Sequence, residues 1–257
     1  MNRSQLIAIG TAAGAAALLP RGVRAADPLE IKVGFLPGAS AWPMYMATEA
    51  GIFTKAGLAV TLVPTPNSAD LFAKLDSGVC EVAHASADSP VAYDSAGGSA
   101  MKNHDFVSFF GVDDGMQRLV AKKGLRTIED LRGKTVAVDA MTTGYAFAMR
   151  EALSVNDLNY NDVSWVAAGD TAQRYASLTQ GKFDATFLTP PYDDQATEQG
   201  FVTLGKVTDF IGAYQGIAGV ARRAWLVANR ATAIAYVRAY RTALAEVAQN
   251  RAPRFRS

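Results

Sequence analysis

Cysteine and histidine are nearly absent. The single cysteine, Cys80, excludes an intrachain disulfide and any cysteine-rich zinc or iron–sulfur site. Two histidines, His84 and His104, leave too few ligands for a histidine-based metal centre. Charge of one sign is missing as well. The 25 Lys+Arg residues face 24 Asp+Glu, so nothing pulls the chain toward nucleic acid. Hydrophobic residues make up 49% of the 257, and this excludes collagen, a disulfide scaffold or a disordered tail. No apolar run reaches the roughly 20 residues of a membrane span.

Among what is present, the first 25 residues stand apart. A short basic start carries Arg3, residues 6–19 are apolar and small, and Pro20 stops any helix there. Val23 and Ala25 put small residues at the positions a signal peptidase reads, so cleavage is expected before Ala26. Removing residues 1–25 takes away Arg3, Arg21 and Arg24 and no acid. The mature balance is then 22 basic against 24 acidic residues. The expected location is the periplasm. A lone cysteine in an oxidising compartment is expected to be buried on a strand.

The remaining chain alternates strand and helix, and it does so twice. Strands are expected at 31–36, 58–63 and 81–85. Helices are expected from Trp42-Pro43, over 68–77 with Gly78 as the stop, and from about Asp88. Adding 103 to each number gives strands at 135–138, 163–167 and 184–188. The corresponding helices start near Thr143, run over 170–180 with Gly181 as the stop, and open at Pro190. Residues 30–90 and 133–193 align without a gap. The identities include Val33/Val136, Met46/Met149, Leu75/Leu178 and Gly78/Gly181. The pattern predicts two equivalent α/β lobes, each a doubly wound parallel sheet with helices on both faces.

Such sheets bind ligands beyond the carboxyl ends of their strands, so two facing lobes share one cleft. The residues following those ends come in pairs: Ser40 and Trp42 with Thr143 and Tyr145, and Ser86 with Thr189. Asn67 and Ser68 match Asp170 and Thr171 at helix starts, where N-capping is the simpler role. Thr142, Asp88, Asp113 and Tyr192 complete the ligand-binding candidates. Hydroxyls beside helix N-termini suit an anionic head group, and the aromatics suit stacking on a flat solute. His84 reads as a satisfied core histidine and His104 as a loop residue. The adjacent pairs Asp113-Asp114 and Asp193-Asp194 point apart and make poor catalytic dyads, although Asp114 or Asp193 can reach a ligand amine at a lobe edge.

These residues carry a family resemblance. Trp42-Pro43, Tyr45-Met46-Ala47, Glu49-Ala50-Gly51-Ile52-Phe53 and Ala56-Gly57-Leu58 come first. Leu75, Ser77-Gly78 and Glu81-Val82-Ala83 follow, then the run Thr127 to Val138 with Asp130-Leu131 and Gly133-Lys134. Last are Leu178, Gln180-Gly181, Asp184-Ala185 and Pro190-Pro191. In this order they resemble the solute-binding proteins of ABC importers for nitrate, sulfonates and taurine, which share a domain with thiamine-pyrimidine synthases. The resemblance spans residues 30 to about 248. It implies a type 2 periplasmic binding protein, a monomer that takes a small-molecule solute without a cofactor or metal and hands it to a membrane permease. The solute is expected to be anionic or aromatic/heterocyclic, such as a sulfonate, nitrate or a pyrimidine.

The resemblance also implies two crossings between lobes, near 112–122 and 213–222. After the signal peptide at 1–25, lobe 1 is then 26–115 plus 218–257, and lobe 2 is 116–217. Members usually continue with further helices, whereas this chain stops shortly after the helix expected at 230–249. From Arg222 onward there are eight arginines and one acid, Glu246, read as a solvated end rather than a docking patch. Enzymes on the same fold are the competing class. The thiamine-pyrimidine synthase uses a cysteine-rich motif that this chain lacks, and the menaquinone-pathway enzymes are cytosolic. A sensor for a membrane receptor is a third reading.

Overall fold

The computed structural model describes residues 27–95 and 105–249. The expected signal peptide, His104 and residues 250–257 lie outside the described residues. The first sheet comprises β1 (Leu29–Phe35), β2 (Leu58–Pro64), β3 (Val82–Ser86), β4 (Phe106–Gly111) and β10 (Ile217–Arg222), in the order β2-β1-β3-β10-β4. The second comprises β5 (Arg118–Ala121), β6 (Thr135–Val138), β7 (Ser164–Ala167), β8 (Ala185–Leu188) and β9 (Val202–Lys206), in the order β7-β6-β8-β5-β9. The two orders correspond strand for strand. With the offset of 103, helix α3 (Ser68–Ser77) matches α6 (Thr171–Thr179), and α4 (Ser89–Ser95) matches α7 (Tyr192–Glu198). Likewise α1 (Trp42–Glu49) matches α5 (Gly144–Ser154).

Period-two burial explains the layers. On β3 every residue is buried, and alternate side chains serve opposite faces. Val82 joins Met44, Phe53, Tyr236 and Tyr240 under α1, α2 (Ile52–Lys55) and α10 (Arg230–Gln249). Ala83 and Ala85 join Leu71, Phe72 and Leu75 under α3. The second sheet is covered in the same way, by α5 and α8 (Val207–Ile211) on one face and by α6 and α7 on the other. The short helix α9 (Arg223–Ala228) leads from β10 into α10.

One expectation needs correcting. The sheets are mixed rather than purely parallel, because β10 runs antiparallel to β3 and β4, and β5 runs antiparallel to β8 and β9. The chain reaches each of these strands from the other lobe. Each enters at the carboxyl edge of its neighbours, Ile217 opposite Ser86 and Arg118 opposite Leu188. A chain arriving at the edge where its neighbours end can only run against them. Much of the two expected crossings is therefore strand, and residues 112–117 and 212–216 make the actual passages. Cys80 is buried as expected but precedes β3 instead of lying on a strand. Burial pushes its thiol up to about 11.

Local stops follow the sequence. Asn67 accepts a hydrogen bond from the Asp70 N–H, and Asp170 forms a reciprocal capping box with Gln173. Gly78 and Gly181 end the preceding helices at φ of 78° and 76°. An alanine forced into this left-handed region costs about 1–2 kcal/mol. At Gly181 a Cβ meets nothing within 4 Å, whereas at Gly78 it falls 2.9 Å from Nη1 of Arg222. That guanidinium donates to the Asp76 carbonyl at 3.2 Å. Gly181→Ala is therefore expected to cost only the backbone strain in a urea titration, and Gly78→Ala that strain plus the weakening of one hydrogen bond as the flexible end of Arg222 moves aside. Equal losses would remove any part for Arg222.

Candidate functional site

The carboxyl edges of the two sheets face each other, and the loops beyond them touch. Ser68, at the start of α3, donates to the Asp139 carboxylate beyond β6. Asp139 also accepts from Thr143 Oγ1 at 2.6 Å. Gly144 opens α5 so close to the first lobe that a Cβ there would lie 2.4 Å from Ser86 Cβ and 1.9 Å from Asp88 Oδ1. Only glycine permits this approach. Tyr145 of α5 packs against the core of the first lobe. The lobes are closed on one another.

A cavity lies in this seam. Its wall includes Ser40, Ser68, His84 and Ser86 from the first lobe, and Tyr145, Thr171, Arg174 and Thr189 from the second. It offers about 20 Å³ to the centre of a water-sized sphere, somewhat more than the about 10–15 Å³ that one water needs. The closed form therefore suits an oxyanion head group better than an aromatic ring.

Arg174 dominates the electrostatics. It projects from α6, is 2% exposed, and has no carboxylate within 4.0 Å among the described residues. Its Nε and Nη2 donate to the Phe187 carbonyl at 3.3 and 3.1 Å, and Nη1 donates to the Gly169 carbonyl. Its Cζ lies 5.4 Å from the centre of the Tyr145 ring, within cation–π range. A guanidinium carries five N–H donors, so two have no acceptor among the described residues. A desolvated cation held only by carbonyl dipoles and a ring face is short of negative charge.

Four of the ten candidates line this cavity: Ser40, Ser86, Tyr145 and Thr189. The other six have different surroundings. Trp42 begins α1 and is 38% exposed, and Thr142 is exposed. Thr143 is buried as the N-cap of α5, its hydroxyl donating to Asp139 and accepting from the Ala146 N–H. Tyr192 packs against Tyr175. Asp113 joins the two passages, accepting from the N–H of Gly115 at 2.9 Å and of Ile217 at 3.2 Å. Burial raises its pKa despite those donors. Asp88 lies against the start of α5 with Oδ1 buried and unpartnered. Asp193 is paired with Arg118 through Oδ2 at 2.6 Å, and its Oδ1 is buried without a partner.

The helix starts divide by one residue. Asn67 and Asp170 are the caps, whereas their neighbours Ser68 and Thr171 line the cavity. Arg174 was missed by sequence reasoning, although the repeat marks it. Subtracting 103 gives Leu71, which is fully buried beneath the first sheet. His84 breaks the repeat in the same way, because its counterpart is the core residue Phe187.

Known proteins share this architecture. The model of the NMT1-like family matches residues 24–254. No curated protein matches the chain. The alkanesulfonate-binding protein SsuA from Xanthomonas axonopodis pv. citri, bound to MOPS, superposes with a TM-score of 0.71 at 19% identity, over 85% of this chain and 74% of that one. The periplasmic aliphatic sulphonate binding protein SsuA from Escherichia coli gives 0.67 at 21% identity, over 87% and 75%. The periplasmic nitrate-binding protein NrtA from Synechocystis PCC 6803 gives 0.74 at 17% identity, over 84% and 61%. What is shared with each is the fold.

The Asp88 carboxylate yields a pH prediction. Burial raises its pKa, and the Asp139 charge adds to this against a bond from its own backbone N–H. A carboxyl with a raised folded-state pKa contributes stability below its unfolded value and loses it as pH rises through the folded value. Asp88→Asn is therefore expected to melt higher than the wild type at neutral pH. The difference should shrink toward pH of about 4, where the unfolded carboxyl also takes up its proton. Thermal melts of both proteins across this range check it, and a variant that melts no higher than the wild type at neutral pH contradicts it.

Proposed function

We propose that this chain, which belongs to the NMT1-like family, is the periplasmic solute-binding component of an ABC importer and captures a small oxyanion between its lobes. The observation that carries the reading is Arg174, a buried guanidinium without a carboxylate partner on the wall of a cavity between two closed lobes. Among the described residues no carboxylate lines that cavity, so no general base of that kind stands by; the nearest acids, Asp139 and Asp88, lie behind Ser68 and Gly144. The hydroxyls of Ser40, Ser86, Thr171 and Thr189 can rotate to donate to its oxygens. The ligand would provide the negative charge that Arg174 lacks, and its binding would favour the closed arrangement by the difference in affinity between closed and open forms. This is binding without bond chemistry.

The domain assignment belongs to the same proposal. Lobe 1 comprises 26–115 and 218–257 and lobe 2 comprises 116–217, hinged at the two passages that Asp113 joins. The monomer then presents its closed form to a permease. Export rests on residues 1–25, and no helix among the described residues is long and apolar enough to cross a membrane.

Two measurements test this. Arg174→Leu restores the residue type of the repeat. It is expected to keep or raise the melting temperature and to weaken methanesulfonate or nitrate binding by a hundredfold or so, about 1.5–3 kcal/mol for a charge-assisted hydrogen bond. Calorimetric titration reads the loss, and a variant that binds both anions as the wild type does refutes the reading. Expressed in a Gram-negative host, the full chain should be recovered from the periplasm with Ala26 first. An intact Met1 on cytosolic protein rules out export.

A further inference from the structure

His84 stands on the cavity wall and is 3% exposed. Its Nε2 lies 2.9 Å from the Tyr236 hydroxyl of α10, and its Nδ1 is buried with no partner. The ring is wedged edge-on against Phe110, Tyr236 and Tyr240, at 5.6, 6.1 and 5.0 Å. Tyr236 is itself fully buried, and His84 is the one side chain with which it shares a hydrogen bond among the described residues.

Counting donors chooses between the two neutral tautomers. If Nε2–H donates to Tyr236, the tyrosine proton has no acceptor and the Nδ1 lone pair has no donor. If the Tyr236 hydroxyl donates to Nε2, only one group is left over, the Nδ1–H. Buried polar groups are rarely left unpaired, so the second arrangement is preferred. The group left over belongs to a residue that lines the cavity.

We propose that Tyr236 holds His84 as the Nδ1–H tautomer, and that this N–H is a specificity-determining donor for the bound oxyanion in the cavity that Arg174 of the other lobe also lines. The inference rests on the oxyanion reading above and goes beyond it. Arg174 recognises negative charge, whereas a fixed neutral donor recognises an oxygen that carries no proton. A ligand of equal charge and shape that brings its own O–H cannot turn it to this N–H and must place it on a wall hydroxyl, which accepts it at the cost of that hydroxyl's own donation to the ligand. That mismatch discriminates more strongly than a change of apolar shape. Burial lowers the His84 pKa to about 3, so the ring stays neutral in mildly acidic solution.

The test uses two probes of one shape. In mildly acidic solution methanesulfonate is a monoanion without a proton on oxygen, and methylphosphonate is a monoanion that keeps one. Calorimetric titration of the wild type is expected to favour methanesulfonate by about tenfold. The double variant His84→Phe/Tyr236→Phe keeps the aromatic packing and leaves no orphaned hydroxyl. It is expected to lose about tenfold for methanesulfonate and all preference between the probes. His84→Asn, whose amide nitrogen falls near the Nδ1 position, should recover part of both. A double variant with wild-type affinity and preference, or a wild type that prefers the phosphonate, overturns the inference and leaves the oxyanion reading standing. If neither probe binds the wild type, both fall. Nitrogen-15 NMR of the ligand-free protein provides a check that needs no variant to fold: Nδ1 should carry the proton and Nε2 should not, and the reverse assignment overturns the inference.

Discussion

The site is organised by a cation that the fold does not neutralise. Arg174 is buried where removing a charge from water costs several kcal/mol, and carbonyl dipoles and the Tyr145 ring offset only part of that cost. A carboxylate would have been the cheaper partner for a structural ion pair. Elsewhere in the molecule such partners are present, as with Arg118 and Asp193 or Lys122 and Asp184. At Arg174 the polar groups around the cavity are hydroxyls and an imidazole. A ligand that brings negative charge would complete a wall of this kind, as proposed for the oxyanion.

The same region holds the lobes together. Gly144 has no side chain to keep Ser86 and Asp88 away, and Ser68 reaches across to Asp139. Tyr145 takes part in two environments, packing on the first lobe's core while its ring faces Arg174. A residue on which both closure and the cation depend couples the two. Asp88 acts against this closure, since its carboxylate is carried into the seam without a hydrogen-bond partner for Oδ1. That opposing contribution keeps the closed form from depending on interlobe contacts alone and leaves room for a ligand to shift the balance.

Periodicity, helix stops and a constant offset were all readable along the chain, because each depends on neighbours within a few residues. The capping box at Asp170, the stops at Gly78 and Gly181, and the matched order of strands are local chemistry repeated. The direction of β5 and β10 was not readable, since it depends on which edge a distant segment approaches. Nor was the division between Thr143, whose hydroxyl is engaged by Asp139, and Thr171, which faces the cavity. Both are threonines beside helix starts, and only the neighbouring lobe separates their roles.

By itself the sequence determined two α/β lobes, their internal equivalence and the edge at which a shared cleft must form. These follow from hydrophobic period and turn chemistry, which act at short range. Two of its departures from the repeat, Arg174 for Leu71 and His84 for Phe187, were also written in the chain. They gained meaning only from the tertiary structure, which brings one from each lobe to the wall of a single cavity. A buried charge and an unpaired ring nitrogen are defined by what surrounds them, and those surroundings are assembled from segments about ninety residues apart.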